Sequence, residues 1–326
     1  MSKVKIIAEI AQGYEGDFSL CKRFVKLARS CGADAIKFQI FEADELSIPG
    51  YKYHELFKSL YISPKNWKKV IELCNDLGIE FYADIFGTKT LQWMLDEKIA
   101  GIKIHSSDVK NYHLLNILKD KKIRIILGVG GSTLEEIEKA IDYLGENEII
   151  IMSGFQAEPN LIEDIELHKI SIIKNKFKKL VGYTDHIEVG NPLAVSLPTM
   201  AVLIGADYIE KHLTIERDFL QLEDYISALN PAEFKAMVTM IRDLESFPSD
   251  SDFSLTDREK IYRKNSKKII LAENNIAEGE TISTAQLTML RTGEEYEELL
   301  DIEDIVGKKA VKSINKHQVI KRDYLR

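Results

Sequence analysis

Between Leu180 and Ile215 two short apolar runs, LVGYTDH and DYIEKHLTI, each lead to a histidine, His186 and His212. About one helix of sequence, Asn191 to Ile204, separates them. A strand, a crossover helix and a second strand form a βαβ unit with parallel strands, and neighbouring strands lie roughly 4.8 Å apart. Two imidazoles at the same end of adjacent strands are then within reach of one divalent metal ion. Asp185 beside the first and Glu210 two residues before the second add carboxylates that could act as ligands or orient the rings. By itself the pair is more readily read as two ordinary half-buried histidines.

Other strand ends carry groups of the same kind. Glu9 lies in VKIIAEI, Lys37 and Gln39 in ADAIKFQIF, and Asp84 in IEFYADIF. Lys103, Ser106, Ser107 and Asp108 follow in IAGIKIHSSD, then Gly128 and Gly130, Ser153 and Gln156, and Thr184. A lone lysine in an apolar strand usually snorkels or pairs with a carboxylate. Two of them, with a serine pair and two glycines, read as a cradle for a phosphate or carboxylate. The glycines let an anion approach backbone N–H groups. Glu9 on a central strand is costly to bury unless it meets a lysine or a metal. His54, His105, His113, His168 and His317 read as structural or surface residues.

These residues need a scaffold that brings strand ends together. From Lys3 to Phe247 eight β-rich runs (4–10, 33–41, 79–86, 99–107, 123–130, 148–155, 180–186 and 207–215) alternate with helical patterns at 20–30, 66–77, 134–144, 192–204 and 231–245. Eight βα units of even length predict a (β/α)8 barrel, whose active sites lie at the C-terminal ends of the strands. A doubly wound open sheet is the alternative, because alternation does not by itself decide closure. Residues 42–64 form a long polar and aromatic insertion on the same face. The barrel is expected over 1–248, a Ser/Asp/Pro-rich linker over 249–262, and a small β-rich domain over 263–326.

Composition narrows the class. The 326 residues carry a formal charge of −8, which argues against nucleic-acid binding and obliges any anionic substrate to find local lysines. Three cysteines form no CxxC pair, and no run of eighteen apolar residues or signal-peptide pattern occurs. A cytoplasmic protein with reduced thiols and no membrane segment is the expectation.

The ordered set of segments resembles the sialic acid synthases, phosphoenolpyruvate-dependent enzymes that build nonulosonic acids. IIAEIAQGYEGD resembles their first strand, IKFQ their Lys-x-Gln and KIHSSDVKNY their Lys-Ile-x-Ser strand. GYTDH and IEKHLT resemble their two metal-binding segments, and DYISALNP their last acidic segment. KKIILAENNIAEGETIS and VGKKAVKSINKHQVI resemble their antifreeze-like (SAF) domain. The resemblance implies a barrel followed by a SAF domain, and condensation of phosphoenolpyruvate with an aldose of the N-acylated mannosamine type. It implies a divalent ion, Mn2+ with Mg2+ or Co2+ as substitutes, on His186 and His212. Lys37, Lys103, Ser106 and Thr184 would hold phosphoenolpyruvate. Gln39, Asp84, Asp108, Gln156 and Asp224 would line the substrate site, with Glu9 positioning water or moving a proton. A domain-swapped homodimer would bring a capping residue from the partner, an arginine in the family and Lys267 or Lys268 here, which loses the bidentate fork.

Other positions also depart from the family pattern. Gly128-Val129-Gly130-Gly131 stands for Ser-Thr-Gly-Met, Gly13-Tyr14 for Asn-His, and Asp84 for a common threonine. Ser153 and Glu158 stand near a usual histidine and tyrosine. These changes point away from plain N-acetylmannosamine as acceptor. Two other readings stay open: a Schiff-base barrel aldolase on Lys37 or Lys103, and a non-catalytic sugar-binding homologue.

Overall fold

A computed structural model of the chain describes residues 3–155, 157–217, 220–247, 253–293 and 300–326. Eight parallel strands close into a barrel in chain order, with β8 returning to β1. They are β1 (Lys5–Ala11), β2 (Ala35–Ile40), β3 (Glu80–Ile85), β4 (Gly101–Ile104), β5 (Arg124–Gly128), β6 (Glu148–Ser153), β7 (Leu180–Thr184) and β8 (Tyr208–His212). Closure excludes the open sheet.

The outer helices are α1 (Phe18–Ser30), α2 (Pro64–Leu77), α3 (Thr88–Met94), α4 (Tyr112–Leu118), α5 (Leu134–Leu144), α6 (His168–Phe177), α7 (Leu193–Leu203) and α8 (Pro231–Glu245). Their ends follow local chemistry. Asp17 accepts from the Ser19 and Leu20 amides to start α1, and Thr133 and Glu136 form a capping box on α5. Pro64 opens α2, and Gly78 closes it in the left-handed conformation.

Strand alternation decides what faces the barrel axis. Near the strand starts the interior is filled by Ile7, Ala35, Tyr82, Ile126, Ile150, Met152 and Tyr208. Two glycines make room for them. A Cβ on Gly101 would sit 2.9 Å from the Tyr82 ring, and one on Gly182 would sit 2.6 Å from the Met152 sulfur. Two residues further along β1, β2, β3, β4 and β8 the inward positions are charged, Glu9, Lys37, Asp84, Lys103 and Glu210, so the plug ends where the site begins.

Three expectations need adjustment. The fourth strand stops at Ile104, not Ser107, because Ser106–Asp108 turn into a short 3-10 helix. The 42–64 insertion carries two short helices, Ala43–Leu46 and His54–Ser59, with His54 buried and its Nδ1 2.9 Å from the Ser47 hydroxyl. The stretch expected as linker contains the start of a helix, α9 (Asp257–Ser266), capped by Thr256 and Glu259. Its low hydrophobicity hid it, for α9 buries none of its residues.

The chain divides into compact units Met1–Phe247 and Pro248–Arg326. In the second, β9 (Ile269–Ala272) and β10 (Leu287–Leu290) pair antiparallel over a small core that includes Ile276, Ile282, Ile305 and Ile314. All three cysteines are free and buried. Among the described residues no helix is long and apolar enough to cross a membrane.

Candidate active site

The inward residues at the strand ends meet in a cavity of about 140 Å3, at the C-terminal mouth of the barrel. Its floor is an ion-pair cluster. Lys37 on β2 contacts Glu9 on β1 closely and lies 3.4 Å from both Asp84 on β3 and Glu210 on β8. Lys103 on β4 donates to Glu210 at 2.6 Å and lies 3.7 Å from Asp84. All five side chains are at most 3 % exposed. Register explains the meeting: Glu9 pairs with Lys37, and Asp84 with Lys103, on adjacent strands.

Three acids around two bases cannot all be equally satisfied. Burial would raise the Glu210 carboxyl, but Lys103 and Lys37 more than offset this and bring it down to about 2. Burial pushes Glu9 up to about 7; repulsion from Glu210 adds to this and Lys37 opposes it. Burial works against the Lys37 charge, yet Glu210, Glu9 and Asp84 hold it protonated above the usual lysine range. Asp84 Oδ1 and Glu210 Oε2 are buried without a hydrogen-bond partner.

Above this floor stand the two histidines. The His186 and His212 ring centroids are 5.0 Å apart and inclined at 56°. Burial lowers the pKa of both, and His186 and the lysines depress His212 further, so both rings are neutral at pH 7. His186 Nδ1 lies 3.2 Å from the Phe155 carbonyl, which favours the Nδ1–H tautomer and leaves Nε2 with a free lone pair. Neutral, convergent imidazoles fit a divalent metal, with other coordination positions left to water or substrate. Among the described residues no three or more His, Cys, Asp and Glu side chains are arranged as a complete cage.

Residues adjacent to the histidines point the other way. Lys211 Nζ donates to Asp185 Oδ1 at 2.6 Å, with side chains 0 % and 1 % exposed. Neither lines the cavity. Asp185, just past β7, is therefore tied to Lys211 of β8 and does not join the histidines in lining the cavity.

Several expected site residues lie elsewhere. Asp108 is used by its own turn, accepting from the Ser107 hydroxyl and from Asn111 Nδ2 at 2.6 Å, and neither it nor Ser106 lines the cavity. Thr184 pairs in register with Glu210 and is fully buried, its hydroxyl unpartnered, outside the lining. Gln39 does line the cavity and accepts from Gln12 Nε2. Tyr14 is buried between Phe38 and Trp67 and donates to the Gln39 carbonyl, so that departure fills core. Gln156 lies outside the described residues. Lys267 and Lys268 are exposed, just before β9 in the second unit. Ser153 faces outward into a separate hollow of about 530 Å3, whose lining also includes Val129, Gly130, Thr133 and Tyr183.

Two lining residues are not among the candidate site residues named from the sequence, although Glu158 stands there as a departure from the family pattern. His105, read as structural or surface, lines the cavity two residues beyond Lys103 and packs on Phe86. The i, i+2 spacing on β4 is the signal that would have found it. Glu158 enters from the loop after β6, where no periodicity marks it. Its Oε1 accepts from the buried Ser227 hydroxyl at 2.6 Å, and it faces Asp224. Burial and this neighbour push the Asp224 carboxyl well above its usual range.

A family model decides what this arrangement belongs to: it matches residues 24–252, and a SAF-domain model matches 267–326. The chain belongs to the NeuB family. NeuB-family relatives are nonulosonic acid synthases. An N,N'-diacetyllegionaminic acid synthase of Legionella pneumophila is 30 % identical over 88 % of this chain and 85 % of its own length. The human N-acetylneuraminate-9-phosphate synthase is 26 % identical over 97 % of this chain and 90 % of its own. The solved N-acetylneuraminic acid synthetase of Leptospira borgpetersenii superposes with a TM-score of 0.73, at 27 % identity, covering 81 % of this chain and 93 % of that one.

Proposed function

We propose that this NeuB-family chain condenses phosphoenolpyruvate with the open-chain form of an aldose, giving a 3-deoxy-2-ulosonic acid of the nonulosonic type and inorganic phosphate. The observation that carries the reading is the meeting of two neutral imidazoles over buried lysines at the barrel mouth. A divalent metal on His186 and His212 would supply Lewis acidity toward the aldehyde oxygen, an effect of several kcal/mol.

Carbon 3 of phosphoenolpyruvate bonds to the aldehyde carbon, whose oxygen takes up a proton. Water adds to carbon 2 and gives up its protons, the bond between carbon 2 and the phosphate oxygen breaks, and phosphate leaves as a ketone forms at carbon 2. Lys37 and Lys103 are the cations beside which the phosphate and carboxylate would bind, and they are in place before substrate arrives. Glu9, with its carboxyl near 7, is suited to pass a proton close to neutral pH. By resemblance alone, a swapped homodimer would add Lys267 or Lys268 of the second unit as a cap.

The same ion pairs count against a Schiff-base aldolase, which needs a neutral amine. Lys37 is held protonated, and Lys103 is bonded to Glu210. The test is phosphate release from phosphoenolpyruvate with Mn2+ and a panel of aldoses. An aldose-dependent release, with a product one pyruvate unit heavier than the aldose, is expected. Borohydride trapping of substrate on a lysine without phosphate release would overturn the reading.

A further inference from the structure

The two histidines of the mouth are held in different ways. His212 is the last residue of β8, and its backbone pairs in register with Glu9 of β1. Its carbonyl also accepts from the Leu229 amide at 2.9 Å. His186 lies two residues past β7, beyond the last rungs of that strand, Tyr183 with Ser153 and Thr184 with Glu210. The loop after β6 replaces the missing ladder. Asn160 takes both backbone groups of His186: its Oδ1 accepts from the His186 amide at 2.8 Å, and its own amide donates to the His186 carbonyl at 2.8 Å. Earlier in the same loop the Phe155 carbonyl lies 3.2 Å from the ring Nδ1. Asn160 is 6 % exposed, and its Nδ2 donates to the Ala157 carbonyl at 2.9 Å, so both side-chain heteroatoms have partners within the protein. It does not line the cavity, and so it can act on the site only through His186.

We propose, on the metal reading above, that Asn160 is a positioning residue that fixes where the His186 ring stands relative to His212. The two backbone bonds fix the direction in which the His186 side chain leaves the chain. The Phe155 carbonyl then fixes the turn of the ring, with Nε2 as the free nitrogen. Loss of the Asn160 Oδ1 leaves the His186 amide a buried donor without a partner. Lying outside the sheet, the residue has no ladder to return to, and it shifts to find another acceptor. An ion shared by two imidazoles needs both rings in place together, so its affinity reports such a shift directly. His212, held by β1 and the Leu229 amide, does not depend on this loop.

A second buried asparagine, at the other end of the barrel, supplies the control. Asn147, just before β6, is also 6 % exposed; it accepts from the Ile123 amide and donates to the Leu118 and Leu144 carbonyls. The test is calorimetric titration of the full chain with Mn2+, well below the Tm of each protein, for wild type, His186→Ala, Asn160→Ala, Asn160→Asp and Asn147→Ala. Asn160→Ala is expected to raise the Kd about tenfold to a hundredfold. Asn160→Asp keeps an acceptor for the His186 amide and should return the Kd to within about threefold of wild type. Asn147→Ala should lower the Tm as Asn160→Ala does and leave the Kd within about twofold of wild type. If Asn160→Ala does not fold, Asn160→Leu, which fills the space without an acceptor, is titrated in its place. Wild-type affinity in the folded Asn160 variant, with binding lost in His186→Ala, overturns the positioning role and leaves the metal reading standing. Equal weakening in Asn147→Ala overturns it as well, since the loss would then follow stability alone. If His186→Ala binds Mn2+ as tightly as wild type, or wild type binds none, the metal reading falls and the positioning role falls with it.

Discussion

At the end of the barrel where the strands begin, acids and bases are matched. Asp34 accepts from the Ile6 amide and pairs with Arg242 and Lys3. Glu80 meets Lys5, Glu148 meets Arg124, Asp207 meets Lys174, and Glu245 meets Arg242. At the end where the strands finish, Glu9, Asp84 and Glu210 share Lys37 and Lys103, and Glu158 and Asp224 line the same cavity. One closed sheet therefore carries a neutral end and an acidic end. The neutral end joins strands, loops and α8 together and serves stability. The acidic end leaves buried polar atoms without partners, an arrangement that a folded chain keeps where a ligand completes it.

Four experiments sharpen or break that contrast. The largest effect is expected from His212→Ala, which should abolish high-affinity Mn2+ binding and lower turnover by about a hundredfold or more. The barrel should stay folded, with Tm within about 4 °C, because the ring faces the mouth and not the apolar plug. Calorimetric metal titration and circular dichroism read the two halves of this outcome. Full turnover in the variant would remove the metal from the account.

Asp34→Asn, at the matched end, should do the reverse. We expect a loss of about 2 to 3 kcal/mol in urea unfolding, since Arg242 and Lys3 lose their partner, and kcat within about twofold of wild type. A variant as stable as the parent would show that the neutral end is not what secures the barrel.

The two ends should also differ in the sign of their pH dependence. Burial raises the Asp34 carboxyl, but the Ile6 amide, Lys3 and Arg242 outweigh it and lower the pKa below 3.8. Its stabilisation is therefore complete above that value and fades as pH falls through the lower folded pKa. Glu9 moves the other way, from 4.5 to about 7, because burial disfavours its charge. The folded state binds that proton more tightly, so the Glu9 contribution is greatest below 4.5 and declines as pH rises to 7. Comparing wild type with Glu9→Gln between pH 4.5 and 7 isolates this slope, and an unchanged profile would contradict it.

The smallest effect concerns the second unit. A chain ending at Phe247, where the first compact unit ends, should retain a barrel and show a KM for the aldose raised several-fold, roughly 1 kcal/mol. Ending the chain after Leu244 would be a poorer test. It removes Glu245, which accepts from the Val4 amide and pairs with Arg242. Unchanged kinetics in the shorter chain would make the second unit an appendage.

Much of the site was readable from period two. Lys37 and Gln39, Lys103 and His105, and Glu210 and His212 each share a strand face, and the cavity gathers all six. His105 obeys the same rule as Lys103, two residues on and facing the same cavity. Ser106 and Asp108, which the resemblance implies as site residues, lie in the turn just past the fourth strand and do not line the cavity. The turn that ends the strand is stabilised by Asn111 and Ser107, a local competition that hydrophobic pattern does not register. Glu158 carries no periodic signal and stands out in the sequence only as a departure from the family pattern, since a loop residue reaches the mouth by the path of its loop.

Determined by the sequence itself were the eight alternating units and the strand faces that carry charge, because backbone geometry sets both periods residue by residue. Whether the charges on those faces would meet, and in what ratio, depended on closing the barrel. Closure brings β8 beside β1, and so puts Glu210 of the one within 3.4 Å of Lys37, which β2 places next to Glu9 of the other. It also sends Asp185 and Lys211 to the outer wall to pair with each other, while the histidines beside them turn inward. Coulomb interactions and desolvation act on distance through space, and only the folded chain sets those distances.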